Sequence, residues 1–510
     1  MNYMGIDLGT TGCKVCTFSE KGDLLYRAYR RYPGRRKGIQ AEELDPETAA
    51  ELVLECIIEN NENMGMEAAE GLSISVSGDE CVLLDEQKRC LGSVIMSRDQ
   101  RGQEEVEWLL DRYSADLLFQ KTGLPVHRKY GMFRLMWYKT HEPASFRKIR
   151  YVMTWEDFLQ LRLGIARPVC SYSSAARLML VDLKNRCYLD DVMKAAGLRR
   201  EWFSPLAESG TMVGVIEGEK AERLGFKHPV CVAAGGFDQS CAATGAGLSK
   251  SGTAVVGSGT MESLSISTDK PLLSPYFMEK KYPTNYHLYP GLYICTATNV
   301  GGSAIVNWYH DQIEDTEIKI KIKGYDAMIS RCGRKPSGLL LLPHFAGSGP
   351  PHKDADSMGA LIGLQVNTTK QEILQAVLEG ITYELRQNLE MIERGCGIDI
   401  EEIRAVGGGA RSDYWLQLKA DITGKTIVRM KNEEAGCAAG AMAAMVALHE
   451  KMTWDTATEI FSKRGQIFVP SEERKYQYEP YYRIYGSLYP SLKDSFHALK
   501  KIQKEEKKYV

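Results

Sequence analysis

Tyr3-Met4-Gly5-Ile6-Asp7-Leu8-Gly9-Thr10-Thr11-Gly12-Cys13-Lys14-Val15-Cys16-Thr17-Phe18 decides the fold. It reads as strand, Gly/Thr turn, strand, and Gly22-Asp23 then turns the chain into a third strand over Leu24 to Arg30. The same plan returns about half a chain later in Thr253-Ala254-Val255-Val256-Gly257-Ser258-Gly259-Thr260-Met261-Glu262-Ser263-Leu264-Ser265-Ile266. A duplicated hairpin predicts two related domains joined near residues 247 to 253. The expected division is 1–247, 248–490 and a charged tail, 491–510, read as a frayed, solvated helix.

Outward from the hairpins, strand-to-glycine-turn-to-helix units occur in both halves. They are Val230 to Asp238, through Gly235-Gly236, and Ile403 to Ala410, through Gly407-Gly408-Gly409. Each domain is therefore mixed α/β. Thr369 with Glu372 forms a capping box for a long helix whose apolar residues, Ile373 to Ile392, recur at helical spacing, with Gly395 as its expected end. The run Ala435 to Ala444 is rich in small residues, which suits close approach to a neighbour.

The bulk composition narrows the function. Lys+Arg 64 against Asp+Glu 66, a net charge of -2, provides no electrostatic footprint for nucleic acid. The densest apolar run, Leu339 to Leu342, is closed by Pro343 and is far below the roughly 20 residues of a membrane span. Met1 to Leu8 carries Asp7 and lacks a basic start, so no secretory signal is expected and the chain reads as cytoplasmic. Thirteen cysteines read as free thiols, with Cys13 and Cys16 lacking a second ligand pair for zinc.

Gly9-Thr10-Thr11-Gly12 can converge backbone N–H groups and two hydroxyls on an anion, with the Lys14 ammonium just beyond. Gly259-Thr260 is the second copy, so the two turns suit a nucleotide's phosphates in a cleft between domains. The common alternatives are missing: there is no GxxxxGK[ST], no GxGxxG and no HRD or DFG set. Asp238 follows a strand and two glycines and opens a small-residue run. Read locally it is either a helix N-cap or a general base. Phosphoryl transfer needs positioning, charge neutralisation and one carboxylate at the attacking hydroxyl, which Asp238 could supply while Asp7 holds a metal through water. Gly407 to Ala410 leaves backbone bare enough for a flat ring to lie against it.

Together these residues resemble the FGGY carbohydrate kinases of the actin, Hsp70 and hexokinase-like superfamily, over most of the chain. Tyr130 to Trp137 with Glu142-Pro143 is similar to the first family signature, although Arg134 stands where a Lys is usual. Gly363-Leu364 with Glu379 to Leu385 is similar to the second. The resemblance implies two ribonuclease H-like domains around a nucleotide cleft, with ATP and Mg2+ as cofactors. It implies transfer of a phosphoryl group to a small carbohydrate or polyol, with a homodimer as one assembly. Asp238 becomes the base and Gln239 its substrate-binding neighbour, with Asp7 and Asp238 toward the metal. Thr10, Thr11, Gly12, Lys14, Gly259 and Thr260 become phosphate contacts, and Gly302, Gly408, Gly409, Ala410 and Asp413 adenosine contacts. Substrate contacts fall by position on Asp79, Glu80 and Lys129, with Asp99, Arg101 and Trp155 as further candidates; Trp155 also reads as a core residue. The general pattern is closest to xylulokinase-like members, but Ser77-Gly78-Asp79-Glu80-Cys81 matches neither the xylulokinase nor the glycerol kinase form of that loop. An Hsp70- or actin-like ATPase and a non-catalytic sugar sensor are the competing readings.

Overall fold

The computed structural model describes residues 1–33, 35, 36, 42–314, 325–432 and 434–506. Its first sheet is built from β1 (Asn2–Leu8), β2 (Gly12–Ser19), β3 (Leu24–Arg31), β4 (Gly71–Val76), β5 (Met212–Ile216) and β6 (Val230–Phe237), in the order β5-β6-β4-β1-β2-β3. The second contains β7 (Thr253–Ser258), β8 (Glu262–Thr268), β9 (Thr284–Tyr286), β10 (Tyr293–Asn299), β11 (Glu402–Val406), β12 (Thr426–Met430) and β13 (Arg464–Phe468). Its order is β9-β10-β8-β7-β11-β12-β13.

The two sheets share one plan. In each, an antiparallel meander of three strands is extended from its first strand by two parallel strands and closed by an antiparallel one. The duplicated hairpin in the sequence is thus the start of a duplicated domain. The central strands β1 and β4 are apolar almost throughout because both of their faces are covered. One cover is α1 (Pro46–Met64), started by Asp45, whose carboxylate accepts from the Thr48 N–H at 2.9 Å.

Five further helices place the site: α2 (Asp238–Gly245), α3 (Gly302–Gln312), α4 (Lys370–Cys396), α5 (Asp413–Thr423) and α6 (Ala435–Leu448). The capping box of Thr369 and Glu372 is present at the start of α4. Its end differs from expectation by two residues: Gly397, at φ +69°, terminates it, and Gly395 remains helical. A helix ends where a residue enters the left-handed region, and that residue is Gly397.

Helix α6 follows β12 in sequence yet packs on β1, β4 and α2 of the first domain. Its small residues make this approach possible. A Cβ on Gly5 would overlap the Cys437 carbonyl, and one on Gly440 would lie 3.0 Å from the Gly5 Cα. Cys13 and Cys16 point to opposite faces of β2, Cys13 packing in the cluster with Cys56 and Cys16 in that with Cys437. All thirteen cysteines are free, and the pair is not arranged as a redox couple.

The expected tail is a correction. Residues 491 to 506 continue α7 (Glu472–Glu506), and its charged groups are engaged with the second domain. His497 Nε2 lies 2.7 Å from Asp354 Oδ2, and Lys504 donates to Asp356 at 2.8 Å, so specific acidic partners hold the helix down. Residues 507–510 lie outside the described residues. Among the described residues no helix is long and apolar enough to cross a membrane.

Candidate active site

Each Gly/Thr turn caps the end of the first strand of its sheet. The first is closed by the Gly9 N–H donating to the Gly12 carbonyl at 3.1 Å, with Thr10 and Thr11 at its tip. The second is closed in the same way, from Gly259 to Met261 at 3.1 Å, with Thr260 exposed. Helix α3 begins against this second turn. Ser303 and Ala304 donate to the Gly259 and Thr260 carbonyls at 2.9 and 3.1 Å, and a Cβ on Gly302 would run into Met261 and Glu262. Gly302 is therefore needed to seat the helix on the turn.

Lys14 stands opposite Asp7 in the β1–β2 register. Its ammonium is bonded to Glu434, just before α6, at 2.9 Å, and Arg27 meets the same carboxylate at 2.8 Å. Burial acts to lower the Lys14 pKa, but Glu434 outweighs it and holds the group up at about 12. The ammonium expected at the phosphates is thus tethered by the segment that enters the interdomain helix.

Asp238 resolves the local ambiguity of cap or base. Phe237 is the N-cap of α2 and Asp238 is its first helical residue. Asp238 Oδ1 is buried without a hydrogen-bond partner. Burial, then the charges of Asp7, Asp79 and Glu80, push its carboxyl up to about 8, against a hydrogen bond from the Gln239 backbone. Asp7, which accepts from Ser75 Oγ at 2.8 Å, is also raised, chiefly by burial. The strand end leading to Asp238 is fixed by Glu156, a residue the sequence reading passed over. Glu156 accepts from the Gly235 N–H at 2.8 Å and from Ser171 Oγ at 2.6 Å, and is wholly buried. Gln239 follows, partly buried.

The loop at 77–81 is built around a buried arginine that was also missed. Arg177 Nε and Nη2 both donate to Asp79 Oδ1, at 3.0 and 2.6 Å, and Lys129 Nζ is 3.4 Å from Oδ2. Burial acts to raise the Asp79 carboxyl, yet Arg177 and Lys129 hold it below the usual carboxylate range. The guanidinium lies over the rings of Phe237, at 4.4 Å, and Tyr130, at 5.1 Å. A side chain on Gly78 would collide with Arg177 and Phe237, so this glycine makes the room. Arg177 sits in a run of Ser and Ala with no pattern of its own, which left no signal to read.

Several candidates take structural places. Glu80 is fully buried, with Ser77 Oγ donating to one oxygen at 2.7 Å and the Ser97 N–H to the other at 3.1 Å. It supports the loop beneath Asp79. Trp155 is a core residue, 0% exposed. Asp99 is occupied by Arg101, at 2.9 and 2.7 Å, and by the Glu42 N–H at 2.9 Å. Arg134, in the place of the usual lysine, is buried and donates to the backbone carbonyls of Asp99, Met96 and Arg101.

The glycine turn after β11 packs on the second phosphate turn. Gly407 is at φ +87°, a Cβ on Gly409 would strike Ser258 and Trp415, and Gly408 faces open space, the one position where a flat ring can rest. Ala410 is buried and its carbonyl accepts from Arg429 Nε at 2.7 Å. Asp413, at the exposed start of α5, is bonded to Arg429 at 2.5 Å. A buried ion pair braces the two turns: Lys419 of α5 meets Glu262, which also accepts from Ser258 Oγ at 2.8 Å, and both charged side chains are excluded from solvent.

Comparison with known proteins agrees with this geometry. The family model for the N-terminal domain of the FGGY family of carbohydrate kinases matches residues 2–245, and that for the C-terminal domain matches residues 253–448. The xylulose kinase of Bacillus subtilis is 27% identical over 510 residues, spanning 99% of this chain and 100% of that protein. The solved structures of a ligand-bound xylulose kinase and of a gluconate kinase, both from Lactobacillus acidophilus, each have a TM-score of 0.88 at 21% identity. Each comparison covers 98% of this chain and 99% of the other, a likeness of fold.

Proposed function

From the premise that the chain belongs to the FGGY family of carbohydrate kinases, and so is an ATP-dependent sugar kinase, we propose that Asp238 is the base that activates the acceptor hydroxyl. The observation that carries this is the Asp238 carboxylate itself. It has one buried oxygen with no partner, at the head of a helix, among three other carboxylates. A structural aspartate would have its oxygens satisfied.

In the reaction the acceptor oxygen forms a bond to the γ-phosphorus while the bond from that phosphorus to the bridging oxygen of ADP breaks. The hydroxyl proton passes to Asp238. Thr10, Thr11, Gly12 and Thr260, with Gly259, offer hydroxyls and backbone N–H groups to the phosphate tail. Lys14 joins them when it leaves Glu434. Gly408, Gly409, Ala410, Gly302 and Asp413 surround the adenosine end. Asp7 and Asp238 fit a hydrated Mg2+, since the one has an oxygen engaged only by Ser75 and the other an orphaned oxygen. Bound there, the ion would neutralise charge on the phosphates. On the acceptor side Asp79, Lys129 and Gln239 orient the carbohydrate, and Arg177 holds Asp79 in place.

The relatives' names point to xylulose, a ketopentose, as the acceptor of those proteins. Here the acceptor is a ketose, polyol or sugar acid of similar size. A coupled ADP-release screen over ketopentoses, hexuloses, polyols and sugar acids tests the reading. At least one should stimulate ATP turnover well above the water-only rate; if none did, the assignment of the site would fail.

A further inference from the structure

Lys353 belongs to the second domain, and the sequence drew no attention to it. Its backbone is at φ +46°, a region a non-glycine residue seldom occupies, and its N–H donates to the Gly349 carbonyl at 2.7 Å. Helix α7 holds the loop from behind: Asp354 accepts from Tyr489 at 3.0 Å and meets His497 at 2.7 Å, and Asp356 is held by Lys504. The side chain is therefore presented from a braced, strained turn rather than a loose one.

The charges that surround the Lys353 ammonium are mostly of its own sign. It feels Lys129, Lys281 and Arg177, with Asp79 as the opposing acid. His127, whose Nδ1 accepts from the Lys129 N–H at 3.1 Å, feels both lysines and Arg128. Asp79 is already bonded to Arg177 and Lys129. Among the described residues no carboxylate lies within salt-bridge reach of Lys353. Burial first, and then these cations, push its pKa down to about 7. Cations gathered in a partly buried place oppose folding unless something negative completes them. The groups involved are those of the acceptor loops, Asp79, Lys129 and Arg177, and not those of the two phosphate turns.

We propose that Lys353, reaching in from the second domain, and Lys129 together receive a carboxylate on the acceptor, so that the enzyme phosphorylates an acidic sugar of the aldonate type. This rests on the reading of Asp238 and its neighbours as the acceptor site. It makes specificity a joint property of both domains, since Lys129 and Lys353 come from different ones.

The test uses the full-length enzyme and pairs of acceptors equal in carbon number and stereochemistry, one an aldonate and the other the corresponding ketose or polyol. The aldonates should be preferred in kcat/KM. Lys353→Met and Lys129→Met should each cost roughly 10- to 100-fold in kcat/KM for the aldonate, mainly through KM for the acceptor, with KM for ATP unchanged. Lys353→Arg should recover part of the loss, and circular dichroism melts will show whether each variant is folded. Turnover with the neutral acceptors alone would leave the kinase standing and remove the carboxylate. A rise in KM for ATP in Lys353→Met, with acceptor KM unmoved, would assign the lysine to the γ-phosphate and overturn the proposal. No turnover with any acceptor would remove both readings.

Discussion

Arg177 places two N–H groups on a single oxygen of Asp79, at 3.0 and 2.6 Å, and leaves the other oxygen to Lys129 at 3.4 Å. The pair is 5% and 11% exposed, so each charge depends on the other. Replacing Arg177 with Met strands Asp79 in a poorly solvated place with one distant ammonium. The expected loss is about 3–5 kcal/mol in urea denaturation. The double change Arg177→Met with Asp79→Asn should recover much of that stability while acceptor turnover stays low. Full recovery of turnover in the double variant would mean that the pair serves only the fold.

Asp238→Asn should reduce turnover by about 10²- to 10⁴-fold, the range for a lost general base, with ATP and acceptor binding retained in calorimetry. Wild-type-like rates in this variant would remove Asp238 from the chemistry.

The carboxyl of Asp238, at about 8, predicts the pH dependence. As a base it must be deprotonated, so kcat/KM for the acceptor should rise with pH up to a limb near 8 in the free enzyme. Stability runs the other way. A folded-state pKa raised above the unfolded value leaves stability intact at low pH and removes it as pH climbs from about 4 toward 8, by at most about 1.4 kcal/mol per pH unit. Asp238→Asn should therefore melt higher than the parent at neutral pH, by a margin that grows up to pH 8. Equal melting temperatures at pH 5 and pH 8 would count against a raised carboxyl.

Lys419 and Glu262 tie the start of β8, at the second phosphate turn, to the helix that follows the glycine turn. Lys419→Met leaves Glu262 charged and enclosed, with Ser258 as its remaining donor. We expect a loss of about 3–5 kcal/mol and a raised KM for ATP, with acceptor KM unchanged. Lys419→Met combined with Glu262→Leu should restore stability. If ATP binding is unmoved in the single variant, the brace does not set the turn.

Gly5 and Gly440 predict the most severe outcome. Gly5→Ala places a methyl into the Cys437 carbonyl, and backbone cannot yield as a flexible side chain can. Little folded protein should be recovered, and a stable Gly5→Ala enzyme would require α6 to stand further from β1 than it does here.

Much of this protein is local, and what is local was legible. Apolar strands broken by Gly/Thr turns set the two hairpins, the Thr369–Glu372 box set the start of α4, and the strand-glycine-helix junction marked Asp238. Alternation, capping and turn chemistry act over a few residues, so a sequence displays them directly. Tertiary structure alone decided the rest. Asp238 lost its cap reading because Phe237 takes that position and because Asp7, Asp79 and Glu80 converge on it. Glu80 became a support because Ser77 and Ser97 claim its oxygens. Arg177, Lys353 and Glu156 had no pattern to announce them, and the small-residue helix α6 did not say which sheet it would cover. Burial and charge pairing depend on groups brought together from hundreds of residues apart, and that convergence exists only in the folded chain.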